Sequence, residues 1–241
     1  MRPHTTEAPL HGVPTALLRG ECGTPFVPPD NRWATPADDA ERAFVELVVE
    51  LDVAPVLDVG CGPGRHVVAL AERGIPALGI DVCERALDVA RNRGASVLHR
   101  SVFDRVPAAG RWGSALLLDG NIGIGADPVR LMRRVAALLR PGGRLLVELD
   151  PPGTAADVRR VRLEIVAGHG PGTVGVGPWF DFGRLPADQA EASVAHAGLD
   201  VVDIWSDRGR HLALLVVPAR VDAGSAADVD DTVRPPAGPG S

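Results

Sequence analysis

Three glycines stand on alternate residues, Gly60, Gly62 and Gly64 of "PVLDVGCGPGRH", directly after a short apolar run. Glycine accepts positive φ and lets the backbone approach a ligand to van der Waals distance, while the first amides of a following helix are unpaired donors. About twenty residues further on, Asp81 closes the next apolar run, a place where one carboxylate accepts hydrogen bonds from both hydroxyls of a ribose. Together these features select an adenosine-containing ligand. The spacing narrows the choice. A dinucleotide fingerprint, G-x-G-x-x-G, needs glycine where this chain has Arg65, and a phosphate-gripping P-loop needs a lysine, of which the chain has none.

The surrounding pattern supplies the elements that must hold these residues. Residues 1–36 are rich in proline with little apolar period and read as a partly extended arm. "ADDAERAFVELVVEL" sets Ala40, Phe44, Leu47, Val48 and Leu51 at helical spacing. From there strands and helices alternate. The strands are "PVLDVG", "IPALGID", "ASVLHRS", "SALLLDG" and "GGRLLVELD"; the helices are "GRHVVALAERG", "CERALDVARNRG" and "DPVRLMRRVAALLR", the last capped by Asp127 and opened by Pro128. Short apolar runs between amphipathic helices imply right-handed parallel βαβ units. Residues 151–183 are looser and read as an irregular insert on the substrate side, with "VRRVRLEIVAG" as a candidate strand within it and "HGPGTVGVGPWFDFG" glycine-rich. "LPADQAEASVAHAG" restores a helix, and "LDVVDIWSDRGRHLALLVVP" gives two strands separated by so few residues that they must be antiparallel. The expected fold is a doubly wound α/β domain over 37–218: a mostly parallel seven-stranded sheet, its last strand antiparallel, with helices on both faces. Residues 219–241 lack apolar content to bury and read as a disordered tail.

"VLDVGCGPG", with "GIDVCERALDVAR" and "LLRPGGRLLVE" downstream, resembles the class I S-adenosylmethionine-dependent methyltransferases. Element order carries the resemblance over about residues 40–218, and its specific motifs lie between 55 and 150. The resemblance implies S-adenosylmethionine as cofactor. The backbone of Gly60, Cys61 and Gly62, in the turn closed by Gly64, would meet the methionyl end, with Asp58 ordering the loop or the amino group. Asp81 would hold the ribose and Val82 would pack against adenine. Ser101 stands where many relatives have an aspartate that contacts the adenine amine. Its hydroxyl and the Val102 amide are the candidate contacts, with Asp104 as the other possible counterpart.

A carboxylate and a carboxamide two apart at a strand's carboxyl end face the crevice of the glycine loop, which singles out Asp119 and Asn121, flanking Gly120. Asp119 either receives the acceptor's proton or bonds the cofactor, with Gly120 beside it; Asn121 either orients the acceptor or caps a turn. The Asn/Asp-Pro-Pro-Tyr tetrad of amine methylases that act on planar nitrogens is missing. Methyl transfer from a sulfonium is an in-line displacement on an activated carbon, so a general base is needed only where the acceptor must lose a proton. Of seven histidines, His169 lies in the irregular segment and is the candidate base. Trp179 and Phe180, with Phe182 next to them, are candidates to roof an acceptor that Trp33 would close over from the other side; an aromatic plug on the sheet edge is the alternative. The arginines of "RLMRR", Arg130 to Arg134, read as the solvated face of an amphipathic helix.

Composition bounds the partners. A net charge of −6 argues against nucleic acid, whose binding draws on clustered basic residues, and favours a small neutral or cationic acceptor. No apolar run approaches the roughly eighteen residues of a membrane span, and the start of the chain has no signal pattern, so the expected compartment is the cytoplasm. Cys22, Cys61 and Cys83 form neither a disulfide framework nor a zinc signature, and no metal is expected. With no lysine or tyrosine, amine and phenol groups are removed from any mechanism. The all-arginine set suits a GC-rich genome and secondary metabolism. The oligomeric state leaves no mark in the sequence. Three rival readings are a protein that binds the cofactor without methylating, an RNA or protein methylase, and a nicotinamide oxidoreductase, which Arg65 disfavours. His169→Ala is expected to lower turnover while cofactor affinity stays intact; normal turnover assigns the proton to another group or to water.

Overall fold

The computed structural model describes residues 15–21, 39–166 and 173–219. Its centre is a seven-stranded sheet built from β2 (Val56–Val59), β3 (Ala77–Asp81), β4 (Val97–His99), β5 (Trp112–Leu117), β6 (Leu139–Leu149), β9 (Asp200–Asp207) and β10 (Arg210–Val216). The spatial order is β4-β3-β2-β5-β6-β10-β9. Strands β2 to β6 run parallel, and β10 is antiparallel to both β6 and β9. The topology therefore reverses between β2 and β5, which is where an open α/β sheet leaves a crevice at its carboxyl edge. Arg208 and Gly209 join β9 to β10 with φ of 47° and 79°, the positive pair that a two-residue type I′ hairpin turn requires.

The strands' alternation sorts the core into two layers. On β2, Leu57 and Val59 face one side and pack with Leu131, Met132 and Val135 of α4 (Pro128–Ala136) and Val194 of α5 (Ala190–Ala197). Val56 faces the other side, with Phe44, Val45 and Val48 of α1 (Asp39–Glu50) and Leu70 of α2 (Arg65–Glu72). The same split recurs on β5, Ala115 and Leu117 against Leu116, and on β10, Ala213 and Leu215 against Leu212. A third cluster joins Val67 of α2 to Leu87 and Ala90 of α3 (Glu84–Asn92). Leu57, Leu131 and Leu145 are 0% exposed, each worth about 1.5–3 kcal/mol of burial. α4 starts as its sequence requires: Asp127 accepts from the Arg130 amide at 2.9 Å, and Pro128 takes the first turn. Among the described residues no helix is long and apolar enough to cross a membrane.

Two regions differ from the sequence expectation. Residues 151–183 are not irregular throughout: β7 (Val158–Val166) and β8 (Thr173–Gly183) pair antiparallel. Within the arm, β1 (Thr15–Gly20) adds to β7, giving a second, three-stranded sheet in the order β1-β7-β8. β7 is the candidate strand of "VRRVRLEIVAG"; β1 and the glycine-rich β8 were hidden, because a ladder draws its stability from backbone pairing and cross-strand partners that a local apolar pattern does not record. The other difference is the end of the fourth predicted helix. α4 stops at Ala136, and Leu139 already pairs with Trp112 as part of β6.

The close packing of β5 against the turn before β2 gives a stability test. A Cβ on Gly113 would stand 2.3 Å from the Ala54 carbonyl oxygen and 2.4 Å from that of Val53, both backbone. Gly113→Ala is expected to cost about 1–3 kcal/mol, read as a lower urea midpoint at unchanged m-value; an unchanged midpoint would show that the two chains separate freely there.

Candidate active site

The turn from β2 into α2 has its three glycines in the left-handed region, with φ of 75° at Gly60, 50° at Gly62 and 78° at Gly64. Two of them are forced by close neighbours. A Cβ on Gly60 would stand 2.8 Å from the Asn121 amide nitrogen, and one on Gly64 would stand 2.8 Å from the Ala90 methyl. At Gly62 nothing lies within 4 Å, so that side of the loop faces open space. The amides of Gly60 and Cys61 both donate to the Ile80 carbonyl, at 2.9 and 3.1 Å. The Gly62 amide donates to Asp81 Oδ2 at 2.8 Å, and the Cys83 amide donates to Asp81 Oδ1 at 2.8 Å. Asp81 thus ties the loop to the end of β3 and keeps further lone pairs for a ligand. Burial pushes its carboxyl above the usual carboxylate range, against the pull of these amides.

Asp58, on β2 just ahead of the loop, is 1% exposed. Its Oδ2 is buried with no hydrogen-bond partner, and His66 Nδ1 of α2 lies 3.7 Å away. A buried carboxylate oxygen left unsatisfied is costly, and a cationic donor entering the crevice would relieve that cost. The Cys61 side chain points the other way, under Gly79 and Val67. Burial, with Asp58 and Asp81 close by, pushes its thiol far up, so it is neutral and no nucleophile.

Across the crevice, β5 ends in a second left-handed turn, with φ of 57° at Asp119 and 77° at Gly120. Asn121 follows, and its amide nitrogen donates to the carbonyls of Val59 and Gly60, both at 2.9 Å. Both of its N–H groups are therefore spent on the glycine loop. Asp119 is held by Arg65, the residue after Gly64, whose terminal nitrogen lies 2.6 Å from each carboxylate oxygen. Glu148 on β6 accepts from the Asp119 amide at 2.6 Å and from Arg210 of β10 at 2.9 and 2.7 Å. Burial opposes ionisation of Asp119, but Arg65, His66 and Arg210 outweigh it and hold the carboxyl below its usual range. A group with a depressed pKa adds stability above its unfolded value and loses that contribution as pH falls through the folded one. It is also a weak proton acceptor.

A family model described as a methyltransferase domain matches residues 56–143. The methyltransferase GfsG of Streptomyces halstedii is 31% identical over 198 residues, 76% of this chain and 68% of that protein. The chain belongs to the class I S-adenosylmethionine-dependent methyltransferases. An O-methyltransferase of ubiquinone biosynthesis from Bordetella avium is 33% identical over 105 residues, 41% of this chain and 43% of that protein, so the match spans under half of that relative's length. A solved methyltransferase from Bacteroides fragilis, in complex with S-adenosyl-L-homocysteine, shares the fold with a TM-score of 0.63 at 20% identity, over 84% of this chain and 87% of that one.

Hydrogen bonds join the loop of Gly60, Cys61, Gly62 and Gly64 to Asp81 on one side and to Asn121, which follows Asp119 and Gly120, on the other, with Asp58 buried just ahead of the loop. The donor set suits the cofactor chemically: the Asp58 oxygen without a hydrogen-bond partner would accept from an ammonium, the bare backbone at Gly62 would leave room for a methionyl chain, and Asp81 would accept from ribose hydroxyls. Val82 is 67% exposed beyond Asp81, a free apolar surface for a base. Ser101 Oγ accepts from the Phe103 amide at 3.2 Å, which leaves its proton to donate, and Val102 is buried beside it.

Of the alternatives left open by the sequence, the hydrogen bonds favour Asn121 as a brace of the turn, and Asp119 is ion-paired with Arg65. Another expectation is corrected. Trp179 and Phe180 do not form one roof. Adjacent residues of an extended strand face opposite ways: Trp179 lies under Arg162, the guanidinium 4.7 Å from its ring, whereas Phe180 meets Phe182 edge-to-face at 6.1 Å. Phe182 in turn packs on Gly123 beside the β5 turn and is the plug of that corner. Trp33 and His169 lie outside the described residues. Sequence reasoning missed Arg65, Glu148 and Arg210. Arg65 was legible only as a glycine that is not there, and the other two lie far along the chain from the partners they meet.

Asp81→Ala is expected to weaken S-adenosylhomocysteine binding by on the order of 1–3 kcal/mol, measured by calorimetry; unchanged affinity removes Asp81 from the site. Because its carboxyl titrates above the usual range and only the ionised form accepts two ribose hydroxyls fully, wild-type affinity is expected to fall on acidification before an ordinary aspartate would protonate, and this limb vanishes in the variant.

Proposed function

We propose that the protein transfers a methyl group from S-adenosylmethionine to an oxygen, nitrogen or carbon atom of a small-molecule acceptor in the cytoplasm, with no nucleic-acid partner. The observation that carries this reading is the bare loop at Gly62, which meets open space and donates its amide to Asp81 at the end of the next strand. The family relation supports the chemistry. The net charge of −6 and a relative named for O-methylation in ubiquinone biosynthesis support a small acceptor.

Bound sulfonium supplies an already electrophilic methyl carbon; the acceptor's lone pair forms the new bond as the carbon–sulfur bond breaks and its electrons return to sulfur. The chain's own task is placement. Asp81, the Gly60–Gly62 backbone and Asp58 fix the donor end, while the β5 turn, stiffened by Arg65 and Asn121, forms the opposite wall. Holding two reactants at attack distance in a water-poor site supplies a large part of such a rate enhancement. Since Asp119 binds protons weakly, the proton of an acidic acceptor goes to His169 or to water. Trp33 and the exposed ring of Phe180 are the proposed acceptor contacts, and the methylating unit is placed within 37–218.

The test is calorimetric titration with S-adenosylhomocysteine, then incubation of the protein with S-adenosylmethionine and a panel of phenols, amines and sugars, read by mass spectrometry. Binding together with a methyl gain on one of these acceptors is the expected result. No nucleoside binding contradicts the reading, and methyl gain only on RNA or protein replaces it.

A further inference from the structure

The turn that follows β4, residues 101–104, is held in place from outside the crevice. Internally it is closed by the Phe103 amide on Ser101 Oγ at 3.2 Å and the Asp104 amide on the Ser101 carbonyl at 3.1 Å. Those bonds shape the turn but do not set its position against the sheet. Arg134 of α4 supplies that: its Nε donates to the Val102 carbonyl at 2.8 Å and its terminal nitrogen to the Asp104 carbonyl at 2.6 Å. One turn earlier, the Arg130 guanidinium lies 4.6 Å from the Phe103 ring. The same ring rests on Gly125, where a Cβ would come within 2.6 Å of it. The helix that carries both arginines is anchored in the core, with Leu131, Met132 and Val135 all 0% exposed and Asp127 capping its start. The arginines expected on a solvated face therefore do something specific: two of them reach back over the sheet and grip one turn.

We propose that Arg134 is a positioning residue for nucleobase recognition, fixing the Ser101 hydroxyl and the Val102 backbone at the height where they read the edge of adenine. This rests on the cofactor reading above, in which Val82, Ser101 and Val102 receive the base. Two bonds from one planar guanidinium to carbonyls two residues apart define both the location and the tilt of the turn, which a single ammonium cannot do. A hydrogen bond that discriminates between bases depends on angle as well as distance, so a turn released by a few tenths of an ångström loses discrimination before it loses apolar contact with the ring.

The experiment compares S-adenosylhomocysteine with S-inosylhomocysteine, in which a carbonyl replaces the adenine amine, by calorimetry on wild type, Arg134→Met and Arg134→Lys, with thermal melts alongside. Wild type is expected to prefer the adenine compound. In Arg134→Met, affinity for the adenine compound falls about tenfold, the equivalent of roughly 1.4 kcal/mol, affinity for the inosine compound changes little, and the preference collapses; Arg134→Lys keeps part of it and guards against a poorly folded methionine variant. Equal weakening toward both ligands, with the ratio intact, shows a merely structural arginine and overturns the proposal, as does a wild type that binds both nucleosides alike. A wild type that binds neither removes the cofactor reading and this proposal with it, an outcome distinct from nucleoside binding with an unchanged ratio.

Discussion

One side-chain amide holds the site open. Asn121 donates both of its N–H groups to the carbonyls of Val59 and Gly60, binding the end of β5 to the end of β2 at the place where the sheet's topology reverses. A loop of left-handed glycines has the largest conformational freedom of any backbone, and that freedom is lost when a ligand binds unless the loop is already ordered. Asn121 on one side and Asp81 on the other hold its backbone, and the side of the loop at Gly62 is left facing open space.

Charge reinforces the same arrangement. Arg65 on Asp119 and Arg210 on Glu148 form a nearly buried chain that links the start of α2 to the ends of β5, β6 and the start of β10. Burying such pairs costs desolvation, and their net contribution to stability is small, but removing one partner leaves a stranded charge worth about 3–5 kcal/mol. The chain therefore fixes geometry more than it adds stability. It also takes Asp119 out of proton chemistry, which leaves the mechanism resting on placement. That suits methyl transfer, where the leaving group is already activated.

Much of this was legible in the sequence, and the boundary is instructive. The parallel strands, the glycine turn and Asp81 announced themselves because each rests on a local rule: an apolar run, a positive φ, a carboxylate at a strand end. Asp127 and Pro128 marked the start of α4 for the same reason. What stayed hidden depends on partners far along the chain. β1 and β8 are strands by virtue of their pairing with β7, Arg134 looks solvated until the turn after β4 is folded beneath it, and Arg65 shows no purpose until Asp119 arrives. Asn121 was found by its position with two tasks left open, because adjacency to a crevice does not tell which wall a side chain leans on.

The brace is tested most directly by the affinity of Asn121→Ala for S-adenosylhomocysteine, measured by calorimetry on protein whose thermal melt confirms a folded sheet. Loss of both loop bonds predicts binding weakened by about tenfold or more, with a larger entropic penalty as the freed glycines are ordered by the ligand. Wild-type affinity with an unchanged entropy would contradict it, and would mean that the loop keeps its shape without the brace.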